Sequence, residues 1–221
     1  MSSDLGSAQQ QHWQAVYQDH PHMYGDAPSE PARHAAELFR TRGARTVLEL
    51  GAGHGRDSMH FAHTGFAVHA TDFSLLGLAQ LAQDAERNGL AEQVTTTVHD
   101  VREPLPLPDE SVDAVFAHML LCMALSTADI RALVGEIERV LRPGGTLVYT
   151  VRHTGDAHCG TGIAHGDGIY EHDGFAVHFF DRALVDELAT GWRLGEVQPF
   201  EEGELPRRLW RVTQARPTSP Q

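Results

Sequence analysis

Apolar positions along this chain recur with two periods, and their order predicts the fold. Residues 47–50, Val-Leu-Glu-Leu, form a short apolar run of the kind buried on both faces of a parallel sheet. Gly51, Gly53 and Gly55 follow, and residues 56–64 take up helical spacing. Residues 65–72 form a second strand that ends in Asp72. Ser74 is a good N-cap for a helix over 75–88, where Leu75, Leu78, Leu81, Ala82 and Ala85 recur at helical spacing and Asn88-Gly89 ends it. Residues 94–98 alternate with threonine as a third strand, and Pro104, Pro106 and Pro108 mark an extended connection. Residues 111–116 predict a fourth strand, with Ala117 and His118 leaving its end. A helix over 128–141, capped by Ser126 or Thr127, leads through Gly144-Gly145 into a fifth strand over 146–151. Alternating strands and helices predict an α/β domain with a parallel, doubly wound sheet and helices on both faces.

The flanks are less regular. Residues 1–11 are polar and read as frayed; residues 11–18 predict a short helix with Trp13, Val16 and Tyr17 on one side. Residues 20–25 break it, and Pro28-Ser29-Glu30-Pro31 signals a second helix whose apolar face is Ala35, Ala36, Leu38 and Phe39. After the fifth strand, residues 152–174 are rich in glycine and histidine and carry no period, so they read as a long functional or disordered loop. Residues 175–180 are a short extended piece, Asp181 caps a helix over 182–190, and 194–199 and 209–213 predict two last strands before a tail at 215–221.

The glycine turn narrows the chemistry. Strand, glycine turn and helix in that order present a helix N-terminus and a backbone that a ligand can approach closely. Asp72 lies about 20 residues beyond the glycines, the spacing of an acid that grips a ribose hydroxyl pair. The turn is G-x-G-x-G, however, and Glu49 stands two residues before its first glycine. A carboxylate there repels a pyrophosphate and suits a ligand with an ammonium group and no phosphate.

Glu49-Leu-Gly-Ala-Gly-His-Gly resembles motif I of the class I S-adenosylmethionine-dependent methyltransferases. Asp72 is similar to their motif II acid, and Leu141-Arg-Pro-Gly-Gly-Thr-Leu to their turn into the fifth strand; the resemblance spans about residues 30–150. It implies a Rossmann-like seven-stranded sheet, mostly parallel, closed by an antiparallel C-terminal hairpin that 194–199 and 209–213 would supply. It also implies S-adenosylmethionine as cofactor and S-adenosylhomocysteine as product. Carried over by position, Gly51 and Gly53 lie against the methionyl and ribose portion, Glu49 neutralises the ammonium, and Asp72 accepts the ribose hydroxyls. Phe73 and Val101 flank the adenine, Asp100 meets its amino group, and Ala117 and His118 approach the methyl end. Arg56 is either a partner of the cofactor carboxylate or a solvated helix-terminus arginine. Gly53-His-Gly-Arg-Asp-Ser58 also resembles the glycine turn of the tellurite-resistance and thiopurine methyltransferase group, departing at Asp57 where asparagine is usual.

Composition bounds the partners. The 221 residues carry a formal charge of −13 with no Lys/Arg cluster, which argues against a nucleic-acid substrate. No apolar run reaches the length of a membrane span, no basic-then-apolar leader opens the chain, and two cysteines make no disulfide framework; a cytoplasmic setting fits. The strand-four exit lacks the Asn/Asp-Pro-Pro-Tyr/Phe sequence of amino-methylating DNA enzymes, so the expected acceptor is a small molecule, handled by a monomer or homodimer. The competing readings are a methyltransferase for a macromolecule and a non-catalytic S-adenosylmethionine-binding or nucleotide-binding module.

The expected layout is one domain: N-terminal lid and helices over 1–43, cofactor-binding core over 44–151, a lid insertion over 152–180, and a C-terminal helix and hairpin over 181–215. Expected catalytic groups are His118, His153 and His178. Expected substrate contacts are Trp13, Tyr17, Tyr24, Arg152 and Tyr170. The histidine-rich segment reads as a surface loop, as a lid that closes with residues 13–24, or as a metal site; its spacing matches no closed zinc pattern, and no metal is assigned.

Overall fold

The computed structural model describes residues 2–20, 23, 25–203 and 207–218. Tyr24, an expected substrate contact, lies outside them. The helices are α1 (Ser2–Asp19), α2 (Glu30–Thr41), α3 (Arg56–His63), α4 (Leu75–Arg87), α5 (Thr127–Val140) and α6 (Arg182–Leu188). The strands are β1 (Thr46–Leu50), β2 (Ala67–Asp72), β3 (Val94–Val98), β4 (Val112–His118), β5 (Leu141–Arg152), β6 (Ile163–Gly166), β7 (Ile169–His172), β8 (Phe175–His178), β9 (Arg193–Glu202) and β10 (Arg207–Ala215). Seven strands form one sheet in the order β3-β2-β1-β4-β5-β10-β9; the first five are parallel, and β10 runs antiparallel to both neighbours. This is the expected Rossmann-like sheet with its C-terminal hairpin.

Strand β1 is the middle one of the five parallel strands, and its alternation feeds two cores. Leu48 and Leu50 join Val115, Ile137 and Tyr149 on the α5 and α6 face. Val47 joins Phe39, Phe61, Phe116 and Leu81 on the face covered by α2, α3 and α4. Both clusters hold fully buried side chains, which is what a central parallel strand requires. The chain order reverses between β1 and β4, so a crevice opens at their carboxyl ends, where open α/β sheets bind ligands.

Four expectations are corrected. Helix α1 starts at Ser2 rather than near Gln11. Gln9 holds it in place: its amide donates to Gly174 O at 2.7 Å and accepts the Ala176 N–H at 3.1 Å. Strand β4 continues to His118, because it stays paired with β5 through Ala117↔Tyr149 and His118↔Thr150. Strands β9 and β10 are longer than expected and carry the hairpin to the crevice. The segment 152–174 is not wholly aperiodic: it holds β6 and β7, which with β8 form a separate antiparallel meander. Its two corners are Asp167-Gly168 and Asp173-Gly174, all four residues with positive φ, between 50° and 83°. Paired positive φ is the two-residue hairpin geometry that Asp-Gly supplies, and those dipeptides were its sequence signal.

Helix α4 lies so close to the glycine turn that a Cβ on Gly77 would meet Gly53 O at 2.6 Å and Gly53 C at 2.9 Å. Backbone atoms cannot swing aside. Gly77→Ala gains about 1 kcal/mol of helix propensity but incurs an overpacking cost of about 1–3 kcal/mol. The expected outcome is a melting midpoint lowered by a few degrees, read by circular dichroism. A raised midpoint would show that the contact is slack.

Candidate active site

The turn from β1 into α3 is built without side chains. Gly51, Gly53 and Gly55 have φ of 75°, 56° and 87°, conformations that glycine adopts without penalty. Gly51 and Ala52 donate their N–H groups to Thr71 O at 2.8 and 3.0 Å. Gly53 donates to Asp72 Oδ2 at 2.9 Å, and Ser74 donates to Asp72 Oδ1 at 2.7 Å. Gly55 caps α3 without a side-chain hydrogen bond, so the opening turn of the helix faces the crevice.

Above this turn lies a cavity of about 420 Å³. Glu49, Asp57, Asp72 and Glu202 contribute carboxylates to its wall, and Arg56 and Arg207 contribute guanidinium groups. Ser58 donates its hydroxyl to Glu49 Oε2. Asp57 accepts Ser29 N–H at 2.7 Å and Ser29 Oγ–H at 2.8 Å, which ties the start of α3 to the start of α2. Burial, then the neighbouring Asp57 carboxylate, push the Glu49 carboxyl well above its ordinary value; Ser58 and Arg56 pull the other way. Burial also raises Asp72, opposed by the backbone N–H groups of Ser74, Gly53 and Phe73. Buried carboxylates in excess of cations make this a site for a positively charged ligand.

The opposite wall is apolar and aromatic: Trp13 and Tyr17 from α1, Met23, and Met119, Leu120 and Met123 beyond β4. A contact chain fixes α1 over the turn. Phe175 of β8 meets Trp13 edge-on at 5.2 Å, Trp13 meets Tyr17 at 5.6 Å, and Tyr17 meets His54 at 4.6 Å. A Cβ on Gly53 would come within 2.9 Å of the Tyr17 hydroxyl oxygen.

Residues 47–145 match a family described as "Methyltransferase domain". Phosphoethanolamine N-methyltransferase 1 of Triticum aestivum is 34% identical over 55% of this chain and 24% of its own length. A tRNA N(3)-cytidine methyltransferase of Gallus gallus is 26% identical over 72% of this chain and 45% of its own length. This chain thus spans less than half the length of these curated relatives. The crystal structure of 1,6-didemethyltoxoflavin-N1-methyltransferase from Burkholderia thailandensis, with its substrate and S-adenosylhomocysteine bound, superposes with a TM-score of 0.77. It is 20% identical, and the match covers 98% of this chain and 91% of that one. Residues 47–145 are thus similar to a methyltransferase domain, and the fold is one shared with S-adenosylmethionine-dependent methyltransferases of known structure.

The cavity gathers only part of the expected site. Glu49, Gly51, Gly53, Asp72, Phe73, Trp13, Tyr17 and His118 all line the cavity. The donor set also fits the cofactor: carboxylates for its cationic end, a side-chain-free cradle, and Asp72 lone pairs left beyond the two backbone contacts.

Asp100, Val101 and Ala117 do not reach the cavity. Asp100 is engaged by the Arg102 guanidinium, at 2.9 and 3.1 Å from Nε, and that contact holds its carboxyl below the ordinary range. Val101 and Ala117 pack into the α5-side core.

The expected residues of segment 152–178 do not line the cavity either, and β8 of the meander packs against α1 instead. Arg152 forms a buried ion pair with Asp156, and His158 Nδ1 lies 3.0 Å from its Nη2. His153 stacks on Trp210 with ring centroids 4.5 Å apart. His178 is buried with Nδ1 2.8 Å from Leu125 O. Tyr170 packs against Phe179 at 6.1 Å. Among the described residues, no group of three or more His, Cys, Asp or Glu is placed to hold a metal ion. Residues not expected in the site enter it as well: Asp57, tied to Ser29, and Glu202 and Arg207 from the hairpin. The length of the last two strands was the only signal for that pair.

The raised Glu49 carboxyl sets a pH dependence. A folded-state value above the unfolded one contributes stability that is complete below the ordinary carboxyl range and is lost as pH rises through the raised value. The ligand-free protein should therefore lose melting temperature across that window. Glu49→Gln should flatten this loss and melt higher at neutral pH. Parallel slopes in the two proteins would show that Glu49 carries no such penalty.

Proposed function

We propose that this protein transfers a methyl group from S-adenosylmethionine to a small-molecule acceptor. The observation that carries the proposal is the single cavity in which the glycine turn, four carboxylates and an aromatic and methionine-rich wall meet. When bound, the cofactor supplies an activated methyl on a sulfonium, already a good leaving group. Asp72 offers its remaining lone pairs to a hydroxyl pair, while its contacts to Gly53 and Ser74 hold the cradle in shape. Phe73 flanks the same end of the cavity. Glu49 and Asp57 set a negative potential where a cation must rest. Trp13, Tyr17 and Leu120 exclude water and restrict the acceptor, and such positioning accounts for much of the rate in an in-line displacement. Of the three histidines expected in catalysis, His118 alone belongs to this reading.

The acidic balance of −13 supports a small acceptor, since binding a polynucleotide rests on a basic footprint. Among the described residues no helix is long and apolar enough to cross a membrane. A cytoplasmic role in small-molecule metabolism, as a monomer or homodimer, belongs to the same reading. The tRNA methyltransferase relative motivates the alternative of a macromolecular acceptor, which a mobility shift with tRNA tests; the expected result is no shift at physiological salt.

Calorimetry should show binding of S-adenosylhomocysteine and none of NAD. Asp72→Asn should weaken S-adenosylhomocysteine by about tenfold or more, the effect of one charge-assisted hydrogen bond of about 1.5–3 kcal/mol. NAD binding with no S-adenosylhomocysteine binding would overturn the reading.

A further inference from the structure

We propose that the methyl acceptor is a neutral nitrogen in a flat, largely apolar molecule. Glu202, aimed by His118 and Thr150, is the counter-charge that selects it. This rests on the methyl-transfer reading above.

The argument starts at Thr150, which is fully buried in β5. Its Oγ1 accepts the Met119 N–H at 2.9 Å and lies 2.8 Å from His118 Nδ1. A buried hydroxyl keeps its proton on an acceptor, and Nδ1 is the acceptor these contacts offer. Nδ1 therefore carries no proton, and the neutral ring holds its proton on Nε2. Nε2 faces Glu202 Oε1 at 3.4 Å. Both ring nitrogens are committed, so His118 is a positioning residue and not a free base. Met119 has φ of 56°, a left-handed conformation uncommon outside glycine. Thr150 sustains it by accepting the Met119 N–H on its carbonyl oxygen as well, at 3.1 Å. Strain held in this way is typical of positions that aim a functional group.

Glu202 stands on the acceptor side of the cavity. Asp72 closes β2 on one side of β1, whereas His118 closes β4 and Glu202 ends β9 on the other. Burial works to raise the Glu202 carboxyl, but His118, with Arg56 and Arg207, outweighs it and keeps the group ionised. Such a carboxylate is a weak base and a strong counter-charge. An alcohol or phenol must lose its proton to a base as it reacts. A neutral nitrogen need not. Its lone pair forms the bond to the methyl carbon, the carbon–sulfur bond breaks with its electron pair passing to sulfur, and the positive charge moves from sulfur to nitrogen. A ring or tertiary nitrogen stays cationic; a primary or secondary amine then releases its N–H proton to water. A fixed carboxylate beside the acceptor favours that movement of charge. The surrounding Trp13, Tyr17, Met119, Leu120 and Met123 suit a flat apolar body, and aromatic faces favour the cation it becomes.

Two measurements test this. With S-adenosylhomocysteine saturating, the protein is titrated with N-methylquinolinium and with its neutral isostere 1-methylnaphthalene. The cation should bind at least about tenfold tighter, and Glu202→Gln should bring the two within about threefold. Equal binding to the wild type, or a preference that survives in Glu202→Gln, overturns this inference and leaves the methyl-transfer reading standing. Failure of S-adenosylhomocysteine to bind overturns both. Nitrogen-15 NMR of the neutral His118 ring should show the Nε2–H tautomer, a mixture in Thr150→Val, and its return in Thr150→Ser. An Nδ1–H ring in the wild type would overturn the positioning role.

Discussion

The structure turns on one carboxylate. Asp72 accepts the Gly53 N–H on one oxygen and the Ser74 N–H on the other, so the end of β2, the glycine turn and the start of α4 are held as one piece. Ser74 in turn caps α4 through the Gly77 N–H at 3.2 Å, and Gly77 lets that helix rest on the Gly53 carbonyl. Each contact depends on the absence of a Cβ or on a short side chain returning to the backbone. The shape of the cradle is therefore a property of the backbone.

Charge follows from the same geometry. Glu49, Asp57 and Asp72 are all nearly inaccessible, and burial, with the neighbouring Asp57 and Asp72 carboxylates, raises the proton affinity of Glu49. Such a cluster costs stability in the empty protein. Local hydrogen bonds offset part of that cost, from Ser58 to Glu49 and from Ser29 to Asp57. A cationic ligand relieves that repulsion.

The meander acts on the site at one remove. Its β8 edge receives the Gln9 amide, and its Phe175 ring supports His12 and Trp13 of α1. Through α1 it sets where Trp13 and Tyr17 lie over the glycine turn. Outside the cavity, His153 stacks on Trp210 of β10, His158 sits against Arg152, and His178 of β8 reaches Leu125 O, so these histidines are engaged away from the cleft.

The sequence by itself determined the sheet, the glycine turn and the acids at its edge. Those features are local: a buried strand, residues that tolerate positive φ, and a carboxylate at a fixed distance along one βαβ unit. Glu49, Gly51, Gly53 and Asp72 were legible for that reason, and Phe73 only through the family resemblance. The Asp-Gly corners of the meander were legible too, as turn chemistry, although glycine content masked them as a loop. Only the tertiary structure decided which histidine faces the cavity and what faces it in return. His118 lies at the end of β4, Thr150 on the neighbouring strand β5, and Glu202 at the tip of a hairpin two strands further along the sheet. No spacing in the chain encodes that meeting, because it depends on strand order and register. Asp100 and Val101 show the converse: their positions in the chain match a family pattern, but an adjacent arginine and the packing of the core turn them away from the cavity.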